Sequence, residues 1–210
     1  MRHVGEHRTT SRRTRGRPLA HGLLALALLP FAANLVLADT AMDELEAEAM
    51  TISGQLAEQL TDALQEAMQR GGPPEAISVC RDLAPQLKAE LSRSTGWRVT
   101  RVGTRVRNPL LGRPDAWEQT VLSDFQQQLD EGRAMTELRH AERVAEPDGE
   151  VFRFMRGIGT QDACLACHGE RQDRHADTFK VLGELYPHDQ AVDYRAGDLR
   201  GAFSISRALE

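Results

Sequence analysis

Apolar residues recur at helical spacing just beyond Asp39. Steps of three or four residues separate the members of this stripe, which are Met42, Leu45, Ala49, Ile52, Leu56, Leu60, Leu64 and Met68. One face of an α-helix repeats in this way, so the stripe predicts an amphipathic helix of about eight turns. The run Gly71-Gly72-Pro73-Pro74 follows the stripe. Two glycines and two prolines disfavour a continuous helix, and they therefore predict its end.

A second apolar stripe begins after this break. Its members are Ile77, Cys80, Ala84, Leu87 and Leu91. Their spacing predicts a helix over residues 75–93. Pro85 lies inside the stripe and lacks the amide hydrogen that a helical hydrogen bond needs. We therefore expect a kink or a local disturbance of this helix at Pro85.

The rest of the chain alternates between short strands and short helices. The hydrophobic pattern predicts strands over residues 97–107, 135–146, 150–156 and 199–208, a helix that Asp115 caps and Gly132 ends, and a short helix over residues 176–186. Pro147-Asp148-Gly149 predicts a hairpin between the two middle strands, and residues 157–174 are rich in loop-forming residues. This order of elements predicts an α+β fold, with a small antiparallel sheet and helices segregated around it.

The first 38 residues differ from the rest of the chain. Six arginines precede a mostly apolar segment, Leu19 to Ala38, whose last residues suit cleavage before Asp39. A basic start, an apolar centre and such a cleavage site are typical of a secretory signal peptide. We therefore expect export across the inner membrane, with residues 39–210 as a single periplasmic domain. The alternative is an uncleaved anchor, since the apolar segment is just long enough to span a bilayer.

Net charge narrows the class of partner. The chain has 26 basic and 31 acidic residues, and its first 38 residues hold six of the arginines and one of the glutamates. The remaining chain therefore has 20 basic and 30 acidic residues. Because an acidic surface repels phosphate backbones, we expect no nucleic-acid partner. A membrane contact is expected only if the N-terminal segment stays uncleaved.

The segment Cys164-Leu165-Ala166-Cys167-His168 carries the most specific chemistry in the sequence. C-x-x-C-H is the attachment signature of haem c, in which two thiols add to the haem vinyl groups and the histidine binds the iron axially. Three other interpretations compete. A thioredoxin-like pair needs no following histidine, a zinc site needs four ligands, and a plain disulfide would explain the cysteines alone. In an exported chain we favour one covalent haem c.

Attachment of haem would leave the third cysteine, Cys80, without a partner. A lone thiol in an oxidising compartment is prone to oxidation, so its presence needs an explanation. Cys80 fits either a small buried residue of the second helix or the second axial ligand of the iron. Other possible ligands are Met135, Met155, His140, His175 and His188, of which His175 stands in a polar run.

Positive charge concentrates along the first predicted strand, at Arg98, Arg101, Arg105 and Arg107. A guanidinium can bind a carboxylate through two hydrogen bonds, so one or more of these arginines could bind the haem propionates. For any single arginine the alternative is a solvated strand face.

Several blocks of the sequence resemble a bacterial family, formerly a domain of unknown function, that occurs as lone exported proteins and in the sensor regions of histidine kinases. The blocks are Ala76-Ile77-Ser78-Val79-Cys80-Arg81, Val106-Arg107-Asn108-Pro109, Asp115-Ala116-Trp117-Glu118, Cys164-Leu165-Ala166-Cys167-His168-Gly169, Leu185-Tyr186-Pro187, Asp189-Gln190-Ala191 and Gly197-Asp198-Leu199-Arg200-Gly201-Ala202-Phe203-Ser204. The resemblance covers about residues 45–208 in the same order. It implies a PAS-like fold that binds one haem c, with His168 and Cys80 as axial ligands.

These expectations lead to a function. Two axial positions filled by the protein suit sensing or electron transfer better than oxygen carriage or catalysis. We therefore expect an exported monohaem c-type protein that acts in redox or gas sensing and is not an enzyme. The alternatives are a periplasmic electron-transfer cytochrome c and a thiol oxidoreductase that uses the C-x-x-C pair. An unidentified redox or signalling protein is the expected partner.

Overall fold

The computed structural model describes residues 29–209, with side chains from Thr40 onwards. The chain divides into two compact units, Met1–Thr40 and Ala41–Glu210. Only helical backbone from Leu29 onwards is described in the first unit, so most of the predicted signal peptide over residues 1–38 lies outside the described residues. No helix within residues 29–209 is long and apolar enough to cross a membrane.

The first helix, α1, runs over Leu29–Ser78 and bends at two glycines. Gly71 has φ −149° and ψ 15°, and Gly72 has φ 66° and ψ −158°. Neither pair of angles is helical, and glycine adopts a positive φ at much lower cost than other residues. Pro73 and Pro74 follow at the start of the second arm, where a missing amide hydrogen leaves no helical bond unmade. The predicted end of the helix at Gly71-Gly72 is therefore confirmed as a kink.

The second arm continues into a π-helical segment, Val79–Leu83, and then into α2, Ala84–Thr95. The amide of Ala84 donates to the carbonyl of Val79, five residues earlier instead of four. Pro85 comes next, and its ring cannot be placed in a regular α-helix without a clash. The disturbance predicted at Pro85 thus takes the form of a wider turn just before it. Such π-helical turns are frequent at functional sites.

Within the described residues, four antiparallel strands form a sheet in the order β1-β4-β3-β2. The strands are β1 (Arg98–Gly103), β2 (Arg139–Glu146), β3 (Gly149–Gly159) and β4 (Leu199–Ala208). β2 and β3 form the predicted hairpin, in which Glu146 pairs with Gly149. β4 comes from the end of the chain and lies between β1 and β3.

The shorter helices connect these strands. They are α3 (Pro109–Gly112), α4 (Ala116–Asp130), α5 (Leu165–His168) and α6 (Ala176–Leu185). Asp115 caps α4 as predicted, because its carboxylate accepts from the Glu118 amide at 2.8 Å while Glu118 accepts from the Asp115 amide at 2.8 Å.

Two predicted strands are shorter than expected. Met135–Glu137 is a 3-10 turn, and Leu138 after it is fully buried, so β2 begins only at Arg139. The first strand ends at Gly103, because the chain beyond it turns away to contact a later loop. In both cases a tertiary contact overrides the local alternation of apolar residues.

The two faces of the sheet carry different cores, because side chains alternate along each strand. Phe154 on β3 and Phe203 on β4 pack with apolar residues of α1 and α2. Their neighbours Met155 and Ala202 point to the other face and pack with α4. The predicted α+β arrangement, a small antiparallel sheet with flanking helices, is confirmed.

β4 carries a β-bulge at Arg200. The register of β3 against β4 shifts between Ile158 and Gly159, so Arg200 has no partner on β3. The next residue, Gly201, has φ 151°, and a Cβ there would lie 2.0 Å from the carbonyl oxygen of Val102. This close approach to β1 requires the glycine. The bulge also redirects the side chain of Arg200.

Candidate functional site

The predicted attachment residues lie on one short stretch of helical backbone. The 3-10 turn Asp162–Cys164 leads directly into α5, Leu165–His168. Cys167 and His168 follow Cys164 by three and four residues, a spacing that places side chains on one helical face. Cys164 and Cys167 are half-buried free thiols, as is Cys80. The C-x-x-C pair is therefore not a disulfide in this structure.

The loop over residues 189–194 packs against this segment. The His168 carbonyl accepts from the Tyr194 amide at 3.0 Å, and the Gly169 carbonyl accepts from the Asp193 amide at 3.1 Å. The Tyr194 ring meets the His168 imidazole edge-on, with 6.3 Å between the ring centroids. Backbone and ring contacts together fix the position of His168 relative to the loop.

The shortest polar contact of His168 assigns its tautomer. Nδ1 lies 2.8 Å from the carbonyl oxygen of Ala191 and 3.1 Å from Nη2 of Arg107, and Nη2 of Arg200 lies 3.3 Å from Nε2. Nη2 of Arg107 already donates to the Cys167 carbonyl at 2.7 Å. The Ala191 carbonyl can only accept and makes the shortest of the three contacts to the ring, so we assign the proton to Nδ1 and the lone pair to Nε2. Metal-binding histidines characteristically donate their second ring nitrogen to a carbonyl or carboxylate in this way.

Burial keeps the His168 imidazole neutral. Removal from water lowers the pKa of His168 well below its usual value, and the charges of Arg200 and Arg107 lower it further. The hydrogen bond to Ala191 acts in the opposite direction without reversing the shift. Because only a neutral imidazole has a lone pair, this environment leaves Nε2 able to bind a metal at neutral pH.

Arg107 and Asp189 connect the loop over residues 189–194 to the C-x-x-C-H segment through hydrogen bonds. Arg107 donates from Nη2 to the Cys167 carbonyl at 2.7 Å and from Nε to Asp189 at 3.2 Å. Asp189 accepts from the Ala191 amide at 2.8 Å, and the Ala191 carbonyl is the acceptor of His168. The side chains of Arg107 and Asp189 are only 9% and 7% exposed, so water competes little for these bonds.

Arg200 lies beside the ring nitrogen that carries the lone pair. Its guanidinium also stacks on the Tyr194 ring, 4.9 Å from the centroid. Burial lowers the pKa of Arg200 to about 10, so the side chain stays cationic at neutral pH. Binding of a metal at Nε2 of His168 requires Arg200 to give up its contact with that atom.

Cys80 approaches the same site from the π-helical turn Val79–Leu83. Burial raises the pKa of the Cys167 thiol, and the charge of Cys80 raises it further, against the effect of Arg107. Burial followed by the charge of Cys80 also raises the pKa of Tyr186. Charges act in this way only over short distances. The structure therefore places Cys80 near enough to Cys167 for its charge to raise the pKa of that thiol, although the two residues are more than 80 positions apart in sequence.

The other candidate axial ligands have different surroundings. Met155 is fully buried in the core beside α4, and Met135 packs at the edge of the same cluster. His140 lies 3.2 Å from a glutamate on β2. His175 caps α6 with its side chain largely exposed, and His188 is exposed.

The four arginines of the first predicted strand, one or more of which could bind propionates, separate into two groups. Arg107 and Arg105 reach the loop, where Arg105 donates to the Val192 carbonyl at 2.6 Å. Arg101 is near enough for its charge to lower the pKa of His168. Arg98 acts elsewhere, since its charge lowers the pKa of Asp115 at the cap of α4.

Fold and site together define an α+β, PAS-like domain in which a C-x-x-C-H segment packs against the last loop before the final strand. The model of the Tll0287-like family matches residues 38–208, and the chain therefore belongs to the Tll0287-like family. Among solved structures, the chain is similar to the crystal structure of the cyanobacterial haem protein Tll0287. The TM-score is 0.62 and the identity 24%, covering 80% of this chain and 96% of that chain. No curated protein matches the chain.

The sequence did not predict Ala191 and Arg200 as parts of the site. Ala191 contributes a backbone carbonyl, which has no side-chain signature. Arg200 is directed to the site by a bulge, which depends on strand pairing. The only available signal was the resemblance of the surrounding blocks to the family.

Proposed function

We propose that this protein is an exported, periplasmic monohaem c-type protein that acts in redox or gas sensing and has no enzymatic activity. Cys164 and Cys167 form the thioethers, while His168 and Cys80 are the axial ligands. The buried neutral imidazole of His168 carries this proposal, because its Nδ1 is held by a carbonyl and two free thiols share its helical face. Family membership and the similarity to a solved haem protein support it.

The donor set of the site fits haem c. When bound, haem c supplies a one-electron redox centre whose iron takes two axial ligands from the protein. The site offers one neutral imidazole and one thiol for this purpose. Within the described part of the chain, no group of three or more His, Cys, Asp or Glu side chains is placed to hold a metal ion by itself. A zinc site of four protein ligands therefore has no support there.

The residues of the chain prepare His168 for ligation. Arg107 and Asp189 hold the Ala191 carbonyl, which in turn orients the imidazole and fixes its tautomer. This orientation uses protein contacts alone. The ring is therefore preorganised, and little side-chain entropy remains to be lost on ligation.

The behaviour of Cys80 on reduction distinguishes a sensor from a simple electron-transfer protein. If Cys80 holds the haem iron, it would do so as a thiolate, and the attraction between thiolate and iron would be weaker in the ferrous state, which carries one positive charge fewer. Cys80 also lies in a π-helical turn, whose hydrogen bonds are irregular compared with the flanking helices. We infer that Cys80 leaves on reduction while His168 stays, which couples the oxidation state to the helix that contains Cys80.

Haem staining after denaturing electrophoresis tests the attachment. In a host with cytochrome c assembly, the mature wild type should stain, and Cys164→Ala combined with Cys167→Ala should abolish the stain. Leu165→Ala lies between the two cysteines and serves as the matched control, which should stain like the wild type. Persistent absence of stain from the wild type would reject the proposal.

The Cys80→Ser variant tests the second ligand. It should retain both thioethers, shift the ferric spectrum from low spin toward high spin, and raise the reduction potential. Asp82→Ser, an exposed residue of the same π-helical turn, should change neither. An unchanged ferric spectrum in Cys80→Ser rejects thiolate ligation. A thiolate signature that persists after reduction of the wild type favours electron transfer over sensing.

A further inference from the structure

A buried positive charge close to the C-x-x-C-H segment is only partly neutralised by the chain. Arg174 stands between α5 and α6, and its side chain is only 3% exposed. Its Nε and Nη2 atoms are buried and have no hydrogen-bond partner among the described residues. Its Nη1 atom lies 3.9 Å from an oxygen of Asp189, which is beyond hydrogen-bond distance.

Asp189 supplies one negative charge to two guanidinium groups. Oδ1 accepts from the Ala191 amide at 2.8 Å, and Oδ2 accepts from Nε of Arg107 at 3.2 Å. Arg107 and Arg174 therefore share one carboxylate in a place with little access to water. A buried surplus of positive charge is strongly unfavourable unless a further counter-charge joins it.

We propose that Arg174 binds a carboxylate group that does not belong to the polypeptide. The Nε and Nη2 atoms of a guanidinium form an edge with two parallel donors, which matches the two oxygens of a carboxylate. In Arg174 this edge consists of the two atoms that have no partner. The surplus of positive charge therefore calls for a negatively charged ligand, and the two donors without partners call for a ligand with two parallel acceptors.

The expected source of the carboxylate is a haem propionate, and this part of the inference rests on the proposed function. Arg174 lies close to Cys167, because its partner Asp189 also binds Arg107, which donates to the Cys167 carbonyl at 2.7 Å. A haem attached through Cys167 brings its own two carboxylates into the domain. A small carboxylate from solution offers the same chemistry and is the other source.

Resonance Raman spectra of the haem-loaded protein test the propionate. The propionate bending band should shift in Arg174→Gln, which removes the charge, and in Arg174→Lys, which keeps the charge but not the paired donors. The reduction potential should fall in Arg174→Gln and change less in Arg174→Lys, because a nearby positive charge favours the ferrous state. Arg133→Gln, at an exposed arginine after α4, is the control and should change neither.

Thermal unfolding in acetate tests the free carboxylate. If a carboxylate from solution fills the site, acetate added to a sulfonate buffer should raise the unfolding midpoint of the wild type to a plateau. The midpoint of Arg174→Gln should not respond, and chloride at equal ionic strength should have no such effect on either protein. If the propionate fills the site, acetate has no effect and the Raman band shifts.

The results decide the inference separately from the proposed function. A band shift in the Arg174 variants or an acetate effect that depends on Arg174 supports the inference and identifies the source. If the Arg174 variants show no band shift and the acetate effect is also absent, the inference is overturned, even if the protein stains for haem. If the wild type carries no haem, the proposed function fails, and the acetate response still decides whether Arg174 binds a carboxylate. Arg174→Lys replaces Arg174→Gln in each measurement if the latter does not fold.

Discussion

Two buried arginines of this domain have opposite surroundings. Arg153 on β3 lies 2.6 Å from Asp115, 3.6 Å from Glu118 and 3.5 Å from Glu146. Its guanidinium also covers the Trp117 ring at 4.3 Å. One nitrogen of Arg153, Nε, has no hydrogen-bond partner, but three carboxylates neutralise the charge.

Arg174 has only a distant share of one carboxylate, which Arg107 already binds. The difference separates structure from function within a single domain. The Arg153 network closes with residues of the chain and joins α4 to the sheet. The Arg174 network stays open beside the predicted haem-attachment residues. We expect the first to contribute stability by itself and the second to do so only with a ligand.

Leucine substitutions at the two arginines should produce the largest contrast. In the haem-free protein, Arg153→Leu leaves the buried carboxylate of Glu118 without a cation and should lower the free energy of unfolding by roughly 3 kcal/mol. Arg174→Leu removes a charge that only shares the Asp189 carboxylate with Arg107, and it should leave that free energy unchanged or raise it. Urea unfolding of both variants measures the difference. Equal losses at the two positions would contradict the distinction between the networks.

Gly201→Ala should disrupt the β-bulge in β4 by a clash with the backbone of β1. The added Cβ would collide with the Val102 carbonyl at a φ that alanine rarely adopts, so we expect a loss of about 2–4 kcal/mol in the free energy of unfolding. Gly183→Ala, on α6 with open space around it, is the control and should stabilise by up to about 1 kcal/mol. Calorimetry compares the two. A loss at Gly201 no greater than at Gly183 would show that the bulge is not under steric constraint.

The N-cap of α4 should give the smallest effect. Asp115→Ala removes the cap and one partner of Arg153, and we expect a loss of about 1 kcal/mol in the free energy of unfolding. Burial opposes ionisation, but the Glu118 amide and Arg153 outweigh it and hold the pKa of Asp115 below its usual value. The contribution of Asp115 is therefore present above the pKa of the unfolded chain, about 3.9, and is lost as pH falls through the lower folded pKa.

Urea unfolding between neutral and strongly acidic pH tests this sign. The gap in unfolding free energy between the wild type and Asp115→Asn should be widest at neutral pH and should narrow in acid. Asparagine keeps an N-cap oxygen while losing the charge, so it isolates the electrostatic part. A gap that widens in acid would mean that the charge of Asp115 destabilises the folded domain.

The sequence predicted the helices better than the arrangement of the strands. The kink at Gly71-Gly72 and the cap at Asp115 arise from local backbone chemistry, so local patterns were sufficient to predict them. The insertion of β4 between β1 and β3 depends on pairs such as Gly159–Leu199 and Arg98–Ser206, which are 40 and 108 positions apart and which no periodicity encodes. The same reason explains why Trp97–Arg107 and Met135–Glu146 were predicted too long.

The residues of the site also divide into those that local sequence predicts and those that depend on contacts between distant residues. Cys164, Cys167 and His168 are contiguous, so the spacing alone identified them. The contacts that orient His168 come from Asp189 and Ala191, about 20 residues later, through a backbone carbonyl and a turn. Arg174 gave no signal at all, because a buried unpaired arginine and a solvated one look the same in a sequence.

The intact mass of the mature protein after denaturation tests covalent haem attachment most directly. We expect one species whose mass equals the polypeptide plus one haem. After proteolysis, the added mass should stay on the peptide that contains Cys164 and Cys167. A bare polypeptide from a host that matures other c-type cytochromes, or a haem lost on denaturation, would contradict the covalent assignment.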